Sequence, residues 1–399
     1  MGSRTRSCAR SKHPVRHKDR IAAAFRGEAS DRIATAEQTI ASTVASQILG
    51  RPALTGSTSL HYEEAKAWAL GENAHREFVD RCFGDIVAVT KALDLDAIYP
   101  PWRGSKPTRR VDEHTFVYGN EDSDRWVRMS FDPASQTYGI CARARELTLE
   151  DLRADVRAFM ERVEKGPKPS WEAMDEMDRR FMTGYGSEYA IPARGGGMTV
   201  PLQPVWLEAT LTDRGLIEAY LDAVVENNLR WMRAYKQAGF AFVNGGGDFA
   251  DKNGPVYSPR FFRDVMAPRW RRIFDCCREL DFPYVFRSDG NLWPVADDLF
   301  GVGRPAGYGE IDWEAGMDAA RIRAAFPDLT LFGNVPCGTI MLRGRPEDVS
   351  RAVRHVVRSA APRVVVGTSN SIMHGTPPEN VYALYETARA ASPRPPASC

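Results

Sequence analysis

The sequence lacks the segments that would place the protein in a membrane or on a secretory route. No apolar run approaches the roughly 20 residues that a membrane-spanning helix needs, and the first residues lack the apolar core of a signal peptide. An excess of one charge is also missing, since 53 Lys and Arg oppose 52 Asp and Glu. No strong field therefore attracts nucleic acid or acidic lipid. We expect a cytoplasmic protein that binds neither nucleic acid nor membranes.

Cysteine is scarce, and three well-known catalytic motifs are absent. The seven cysteines are odd in number, scattered, and contain no C-x-x-C pair, which argues against a disulfide framework and favours a reducing compartment. The sequence has no H-E-x-x-H zinc-protease helix and no G-x-S-x-G nucleophile elbow. Its glycine run at 245–247 lacks the G-x-G-x-x-G spacing that binds dinucleotides.

The composition is that of a globular protein with a large core. Hydrophobic residues make up 43% and charged residues 26% of the 399 positions, both ordinary values. Basic residues crowd the first twenty positions, so residues 1–20 are predicted to be a disordered basic tail. Residues 21–399 are then predicted to form one domain, with an insertion at about 103–193.

Strand and helix patterns alternate through the second half of the chain. The predicted strands are Val200–Leu207, Phe240–Asn244, Phe282–Phe286, Ala306–Ile311, Thr330–Phe332 and Arg363–Val366. Helical patterns follow these strands, the longest of them Asp213–Tyr235. Units of about 30 residues, each a strand and then a helix, imply parallel strands with right-handed crossovers. The fold class predicted is α/β, a TIM (β/α)8 barrel.

The first half is less regular. Asp31–Gln47 and Tyr62–Leu93 have helical patterns, and Asp96–Tyr99 is a candidate for the first barrel strand. Short β-prone runs between turn sequences, from Thr115 to Cys141, predict a small antiparallel insertion. We interpret 165–192 as a loop region over the barrel mouth.

Polar residues that follow a barrel strand face the active site in a TIM barrel. At the end of the strand Phe240–Asn244, this rule selects Asn244 itself as a substrate-binding candidate, together with Asp248 and Lys252, although Asp248 could merely cap a turn. After the next strand it selects Arg287, Ser288, Asp289 and Asn291. Arg287 could bind an anion and Asp289 could act as a general base or orient a substrate, or the two could simply pair with each other.

The remaining strand ends supply further candidates for substrate binding. Glu310, with Asp312 and Glu314, could bind a cation or form a solvated loop. His374 could be a loop or cap residue instead of a ligand. The full set of further candidates is Trp206 and Glu208 from the first strand of this half, then Tyr308, Glu310, Asn334, Asn370 and His374.

These segments resemble the uroporphyrinogen decarboxylase superfamily. Asp248–Pro255 followed by Ser258-Pro259 resembles its D-x-x-x-x-x-G-P-x-x-S-P segment, and Ser288–Asn291 resembles its H-S-D-G-N strand end. Leu331–Val335 and the run from Asn370 to Asn380 also match. The likeness covers about 200–391. True uroporphyrinogen decarboxylases have an arginine-rich R-Q-A-G-R-Y signature, absent here, and a histidine where this chain has Asn370.

Another branch of that superfamily contains corrinoid-dependent methyltransferases, many of which hold zinc through an H-x-C element and a later cysteine. The matching strand end here reads Arg287-Ser288-Asp289, so no zinc site is evident and no metal ligand is predicted. Branches that demethylate methoxylated small molecules resemble the chain better. The resemblance thus implies a small-molecule substrate and a corrinoid on a partner protein. A homodimer remains open.

Three functions follow as hypotheses. The first is a methyltransferase in which Asp248 or Asp289 protonates the leaving group and Arg287 stabilises the departing anion. The second is a decarboxylase that needs no cofactor. The third is a non-catalytic barrel that only binds a ligand.

Overall fold

A parallel sheet of seven strands forms the centre of the fold in the computed structural model, which describes residues 15–392. The strands are β1 Ala34–Thr35, β2 Pro192–Arg194, β3 Phe242–Gly246, β4 Tyr284–Arg287, β5 Gly307–Gly309, β6 Thr330–Val335 and β7 Val364–Thr368. Their order in the sheet is β1-β7-β6-β5-β4-β3-β2, so strands that are neighbours in the sheet follow each other in this numbering, except for the β1–β7 pair.

The two edges of this sheet approach each other through residues 96–98. The Asp96 N–H donates to the carbonyl of Thr35 in β1 at 2.8 Å. On the other side, Ala97 forms an isolated parallel bridge with Ala190, two residues before β2. The structure therefore shows a mixed α/β fold with a curved parallel sheet, and the closed eight-stranded barrel remains a prediction.

Alternating residues of the strands fill the space inside the curved sheet. Phe242, Val285, Phe332 and Val365 come from four different strands and pack together with Tyr99 in one buried cluster. The intervening residues face the helices, as the two-residue period of a strand requires. Apolar residues occupy this inner layer, and polar residues such as Asn244 and Arg287 come two positions later, towards the C-terminal ends of the strands.

Helices cover the outer face of the sheet. The helix Pro346–Ala360 buries a face of valine and alanine side chains. No helix within 15–392 has both the length and the apolarity to cross a membrane. The helices are His17–Arg26, Ser42–Leu49, Thr58–Leu70, Glu72–Ala92, Leu149–Lys165, Glu176–Tyr185, Pro204–Thr212, Arg214–Ala238, Pro259–Phe261, Ala267–Glu279, Ala319–Ala325, Pro346–Ala360 and Pro378–Ala390, with short π-helical or 3₁₀ turns at Phe262–Met266, Trp293–Val295, Asp297–Val302, Trp313–Ala315 and Cys337–Met341.

A small antiparallel sheet lies within the predicted insertion. Its strands pair in chain order, and a separate two-stranded hairpin follows β3. The four strands of the small sheet are Arg109–Arg110, Thr115–Tyr118, Val127–Asp132 and Thr137–Arg143, and those of the hairpin are Ala250–Asp251 and Gly254–Pro255. The predicted end of the insertion at residue 193 falls inside β2, which belongs to the main sheet.

A buried carboxylate ties the first helix to the sheet. The Asp96 side chain is fully buried, and its Oδ1 accepts hydrogen bonds from Arg20 Nη1 at 3.1 Å and Arg32 Nη2 at 3.0 Å. His17 Nδ1 lies 2.9 Å from the same oxygen. The backbone N–H of Thr35 donates to Oδ2 at 2.9 Å. Asp96 thus links the helix His17–Arg26, β1 and the 96–98 segment.

The structure corrects two predictions near the N-terminus. The predicted tail 1–20 extends too far, because a helix begins at His17; residues 1–14 lie outside the described part of the chain. The predicted helix Asp31–Gln47 is wrong at its start, because β1 occupies Ala34–Thr35. A two-residue strand shows no periodicity that a sequence pattern can detect.

Two further predictions need correction. The helical pattern Tyr62–Leu93 forms two helices, because Gly71 between them has a φ of 112° that a helix does not allow. The predicted strand Val200–Leu207 is not observed. Its second half belongs to the helix Pro204–Thr212, in which Pro204 occupies the first helical turn.

Candidate functional site

A cavity of about 210 Å³ opens at the C-terminal ends of the parallel strands. Its walls carry carboxylates, amides, one guanidinium and one indole, between stretches of glycine backbone. The lining residues are Gln38, Trp102, Gly195, Gly197, Asn244, Gly245, Gly246, Gly247, Asp248, Arg287 and Glu310. This is the end of the sheet where a barrel enzyme places its chemistry.

A chain of hydrogen bonds crosses the cavity. Arg287 Nε donates to Glu310 Oε1 at 3.2 Å, and both side chains are about nine-tenths buried. Gln38 Nε2 donates to the same oxygen at 3.1 Å, and Asn244 Nδ2 donates to Gln38 Oε1 at 3.1 Å. The last residue of β4 is thereby connected to Asn244 within β3 and to the side chains that follow β1 and β5.

Local backbone chemistry makes room for this network. A Cβ on Gly309 would lie 2.7 Å from Arg287 Nη1, so a side chain at that position would displace the guanidinium. Glu310 follows with a φ of 63°, in the left-handed region that non-glycine residues rarely occupy outside special sites. This turn directs the Glu310 carboxylate back over the strand ends.

Three carboxyl groups converge beside Arg287. One oxygen from each of Asp248, Asp289 and Glu310 lies within 4.8 Å of the other two. Asp289 also accepts a hydrogen bond from Asn370 Nδ2 at 2.8 Å. These side chains follow β3, β4, β5 and β7, so four strand ends contribute to one cluster.

Crowding of these acids perturbs their ionisation. Burial, together with the negative charge of Glu310, raises the pKa of Asp289 to about 7, although the hydrogen bond from Asn370 acts in the opposite direction. Asp248 reaches solvent, yet desolvation by the surrounding loops and the Glu310 charge raise its pKa as well. The cluster therefore resists carrying three negative charges at once.

Several predicted residues meet at this site, while others stand apart. Asp248, Asn244, Arg287 and Glu310 line the cavity, and Asp289 and Asn370 adjoin it. The alternative in which Arg287 pairs with Asp289 is not observed, because Arg287 bonds to Glu310 instead.

Two predicted residues lie on a helix outside the cavity wall. Trp206 and Glu208 belong to the helix Pro204–Thr212 and not to a strand. The Trp206 ring packs edge-on against Tyr220 at 4.6 Å between ring centroids, and Glu208 is exposed. Neither residue completes the ring of strand ends.

Three predicted residues take structural contacts at the strand ends. Asn291 Oδ1 accepts a hydrogen bond from the Trp293 backbone at 3.1 Å. Ser288 is fully buried and its hydroxyl donates to the carbonyl of Asp289 at 3.1 Å. The Tyr308 ring packs at 4.8 Å from Phe300, between the sheet and the helices.

The last three predicted residues are also absent from the cavity lining. Lys252 is exposed in the hairpin that follows β3. His374 is exposed, and its Nδ1 lies 2.9 Å from the Thr43 hydroxyl. Asn334 is fully buried in β6, with a φ of 90°, and neither polar atom of its side chain has a hydrogen-bond partner.

Sequence reasoning missed two cavity residues from the N-terminal half. Gln38 follows β1, and the rule of polar residues after strands would have selected it had that strand been predicted. Trp102 is about half exposed at the mouth and its carbonyl accepts a hydrogen bond from His61 Nε2 at 3.0 Å. It lies in an irregular segment where no sequence pattern indicates its place.

Comparison with known proteins agrees with the motifs. Residues 198–391 match the family model of uroporphyrinogen decarboxylase (URO-D), which confirms the predicted superfamily resemblance. No curated protein matches the sequence. A solved structure described as a methyltransferase from Methanosarcina mazei is 17% identical, with a TM-score of 0.59, and the match covers 94% of this chain and 98% of that one. At this identity the likeness shows the fold alone.

A second solved structure is much less similar to this chain. A sugar phosphate isomerase/epimerase from Parabacteroides distasonis is 9% identical, with a TM-score of 0.33 over 61% of this chain and 89% of that one.

Proposed function

We propose that this chain, in which 198–391 belong to the uroporphyrinogen decarboxylase superfamily, transfers a methyl group from a small methoxy compound to a corrinoid acceptor on a partner protein. The observation that carries the proposal is the cavity at the strand ends. Arg287, Asp248 and Glu310 line this space of about 210 Å³, and the Asp289 carboxyl group adjoins it, close to the other two carboxyl groups.

The size of this cavity favours a small substrate. Pockets for drug-sized ligands span roughly 300–1,000 Å³, and this one is smaller. A tetrapyrrole is larger than the ligands that a cavity of this volume usually encloses. Methyl transfer from a small molecule therefore suits the cavity better than the decarboxylation of a porphyrinogen.

The charges in the cavity suit the breaking of a carbon–oxygen bond. As the methyl group moves to the nucleophilic acceptor, the electron pair of the broken bond stays on the leaving oxygen, which becomes negative. Arg287 Nε is held by Glu310, whereas the two Nη atoms have no hydrogen bond to any residue of 15–392. These atoms are free to stabilise the leaving oxygen, with Asp248 and Asp289 beside them.

The proposal includes a closed barrel and a cytoplasmic setting. The segment 96–98 has hydrogen bonds to β1 and to residue 190 just before β2, which supports its being the eighth strand. The five described cysteines are free thiols, which supports a reducing compartment.

The test is methyl transfer in solution. The purified protein is incubated with reduced cobalamin or a reduced corrinoid protein and a panel of small methyl ethers, and the absorbance spectrum reports methylcobalamin. We expect methylation with at least one ether, lost in the Arg287→Met and Asp289→Asn variants and retained in Glu314→Gln, an exposed acid near the site.

Two results would redirect the assignment. Release of carbon dioxide from uroporphyrinogen III, without methyl transfer, would establish the decarboxylase. Tight binding of a ligand, with no methyl transfer between any ether and the corrinoid in either direction, would favour a non-catalytic ligand-binding protein.

A further inference from the structure

The three carboxyl groups of the site have the geometry of a cation-binding cluster. Oxygen ligands stand about 2.0–2.6 Å from Mg²⁺ or Ca²⁺, so two ligands of one ion lie roughly 3–5 Å apart. One oxygen from each of Asp248, Asp289 and Glu310 lies within 4.8 Å of the others. The three side chains come from loops after neighbouring strands, so their spacing is set by the sheet.

The charge in the cavity is unbalanced. Three carboxylates cluster at or beside the cavity, and among residues 15–392 the only cationic side chain that lines it is that of Arg287. When all four groups are ionised, the formal charge is −2. Negative groups held together away from bulk water repel each other strongly, and a divalent cation would neutralise this excess.

A second observation, independent of the acids, comes from an amide side chain that lines the same cavity. Asn244 lines the cavity and is 4% exposed. Its amide nitrogen donates to Gln38, but its oxygen Oδ1 has no hydrogen-bond partner in the part of the chain that the structure describes. A buried acceptor without a partner is unfavourable, and amide oxygens are ligands that hard divalent cations accept.

The ligand atoms indicate the class of the ion. Within the described residues 15–392, no thiol and no imidazole lines the cavity, and the strand end that resembles the zinc-binding H-x-C element of superfamily methyltransferases reads Arg287-Ser288-Asp289. Residues here therefore do not fit a zinc–thiolate centre. Carboxylate and carbonyl oxygens suit Mg²⁺, Mn²⁺ and Ca²⁺.

We propose that Asp248, Asp289 and Glu310 bind one hard divalent cation, with Asn244 Oδ1 as a further oxygen donor. The ion lies beside the Arg287 guanidinium, whose pairing with Glu310 orients one of the ligands. In this arrangement Asp248 and Asp289 act as ligands of the cation. This role replaces the protonation of the leaving group that the sequence analysis predicts for them.

The test uses Mn²⁺ as the probe and requires no substrate, so its outcome is independent of methyl transfer. The full-length protein is freed of metal with EDTA and titrated with Mn²⁺, and the free ion is measured by electron paramagnetic resonance. We expect one Mn²⁺ per chain, displaced by millimolar Mg²⁺ or Ca²⁺. Because each carboxylate is a direct ligand, Asp289→Asn should weaken binding at least about tenfold.

Matched variants keep the test decisive. Asp248→Asn changes an exposed loop residue, so it should retain the thermal midpoint of the metal-free protein and still weaken Mn²⁺ binding. Glu314→Gln, an exposed acid outside the cluster, should bind Mn²⁺ as the unaltered protein does. Failure to bind Mn²⁺, equal binding by a folded Asp248→Asn/Asp289→Asn variant, or Mn²⁺ that neither Mg²⁺ nor Ca²⁺ displaces would overturn the proposal.

Discussion

Replacing Glu37 by glutamine should make the protein more stable above neutral pH. Glu37 is buried behind the cavity, between β1, β7 and the last helix. Its Oε1 accepts from the Thr368 hydroxyl at 2.8 Å, and its Oε2 accepts from the Thr368 N–H at 3.1 Å and the Tyr385 hydroxyl at 2.8 Å. A glutamine oxygen can take the place of Oε2, and its NH2 group can donate to the Thr368 hydroxyl oxygen.

The magnitude follows from the ionisation of the buried carboxyl group. Burial raises the pKa of Glu37 from 4.5 to about 7, although its hydrogen bonds and the Arg287 charge act in the opposite direction. Below about pH 4.5 the group is protonated in both the folded and the unfolded chain. As the pH rises from there to 7, only the unfolded chain loses its proton, so the free energy of unfolding falls. The loss approaches about 3 kcal/mol above pH 7.

Chemical denaturation at a series of pH values measures this effect. The free energy of unfolding is obtained from urea titrations between pH 5 and pH 8.5 for the unaltered protein and for Glu37→Gln. We expect equal stabilities near pH 5 and a variant more stable by about 1–3 kcal/mol near pH 8. Subtracting one curve from the other removes the contributions of other titrating groups, including Asp289. A stability difference between the two proteins that stays the same from pH 5 to pH 8.5 would contradict this prediction.

Three further predictions concern the site and its supports. Arg287→Met leaves the buried Glu310 carboxylate without the guanidinium that pairs with it and should lower the free energy of unfolding by about 3–5 kcal/mol. In the same denaturation assay, the double variant Arg287→Met/Glu310→Gln should recover part of this lost stability. Gly246→Ala should lower the thermal midpoint or prevent folding, because its Cβ would overlap the Arg287 carbonyl, whereas Gly184→Ala, on an open helix surface, should stabilise by about 0.5–1 kcal/mol. Asp96→Ala removes the acceptor shared by the first helix and β1 and should destabilise by about 3–5 kcal/mol, whereas an unchanged denaturation midpoint would show that this buried cluster contributes little.

The sequence predicted the part of the fold whose strands are long and apolar. The strands β3, β4, β6 and β7 each contain at least four residues, and each overlaps a predicted strand. Because side chains that follow parallel strands meet at one end of the sheet, finding those strands was enough to bring together Asp248, Arg287, Asp289 and Asn370.

The rest could not be predicted for identifiable physical reasons. β1 and β2 contain two and three residues, which is too short for a two-residue alternation to be visible. Both are defined by hydrogen bonds to partners distant in sequence, such as Val365 and Phe242. Trp102 is positioned by His61, which lies on a helix outside the sheet, so its place depends on tertiary contacts.

The division of the cavity between the two halves of the chain bears on substrate choice. Residues within the family match, 198–391, supply the charged side of the cavity: Asp248, Arg287 and Glu310. Gln38 and Trp102, which also line the cavity, come from residues outside that match. In the proposed function, the motifs therefore supply the groups that would act on the leaving oxygen, and we expect the residues outside the match to influence which substrate fits. Substitution of Trp102 should consequently change which ether is accepted, while substitution of Arg287 should reduce turnover of every ether alike.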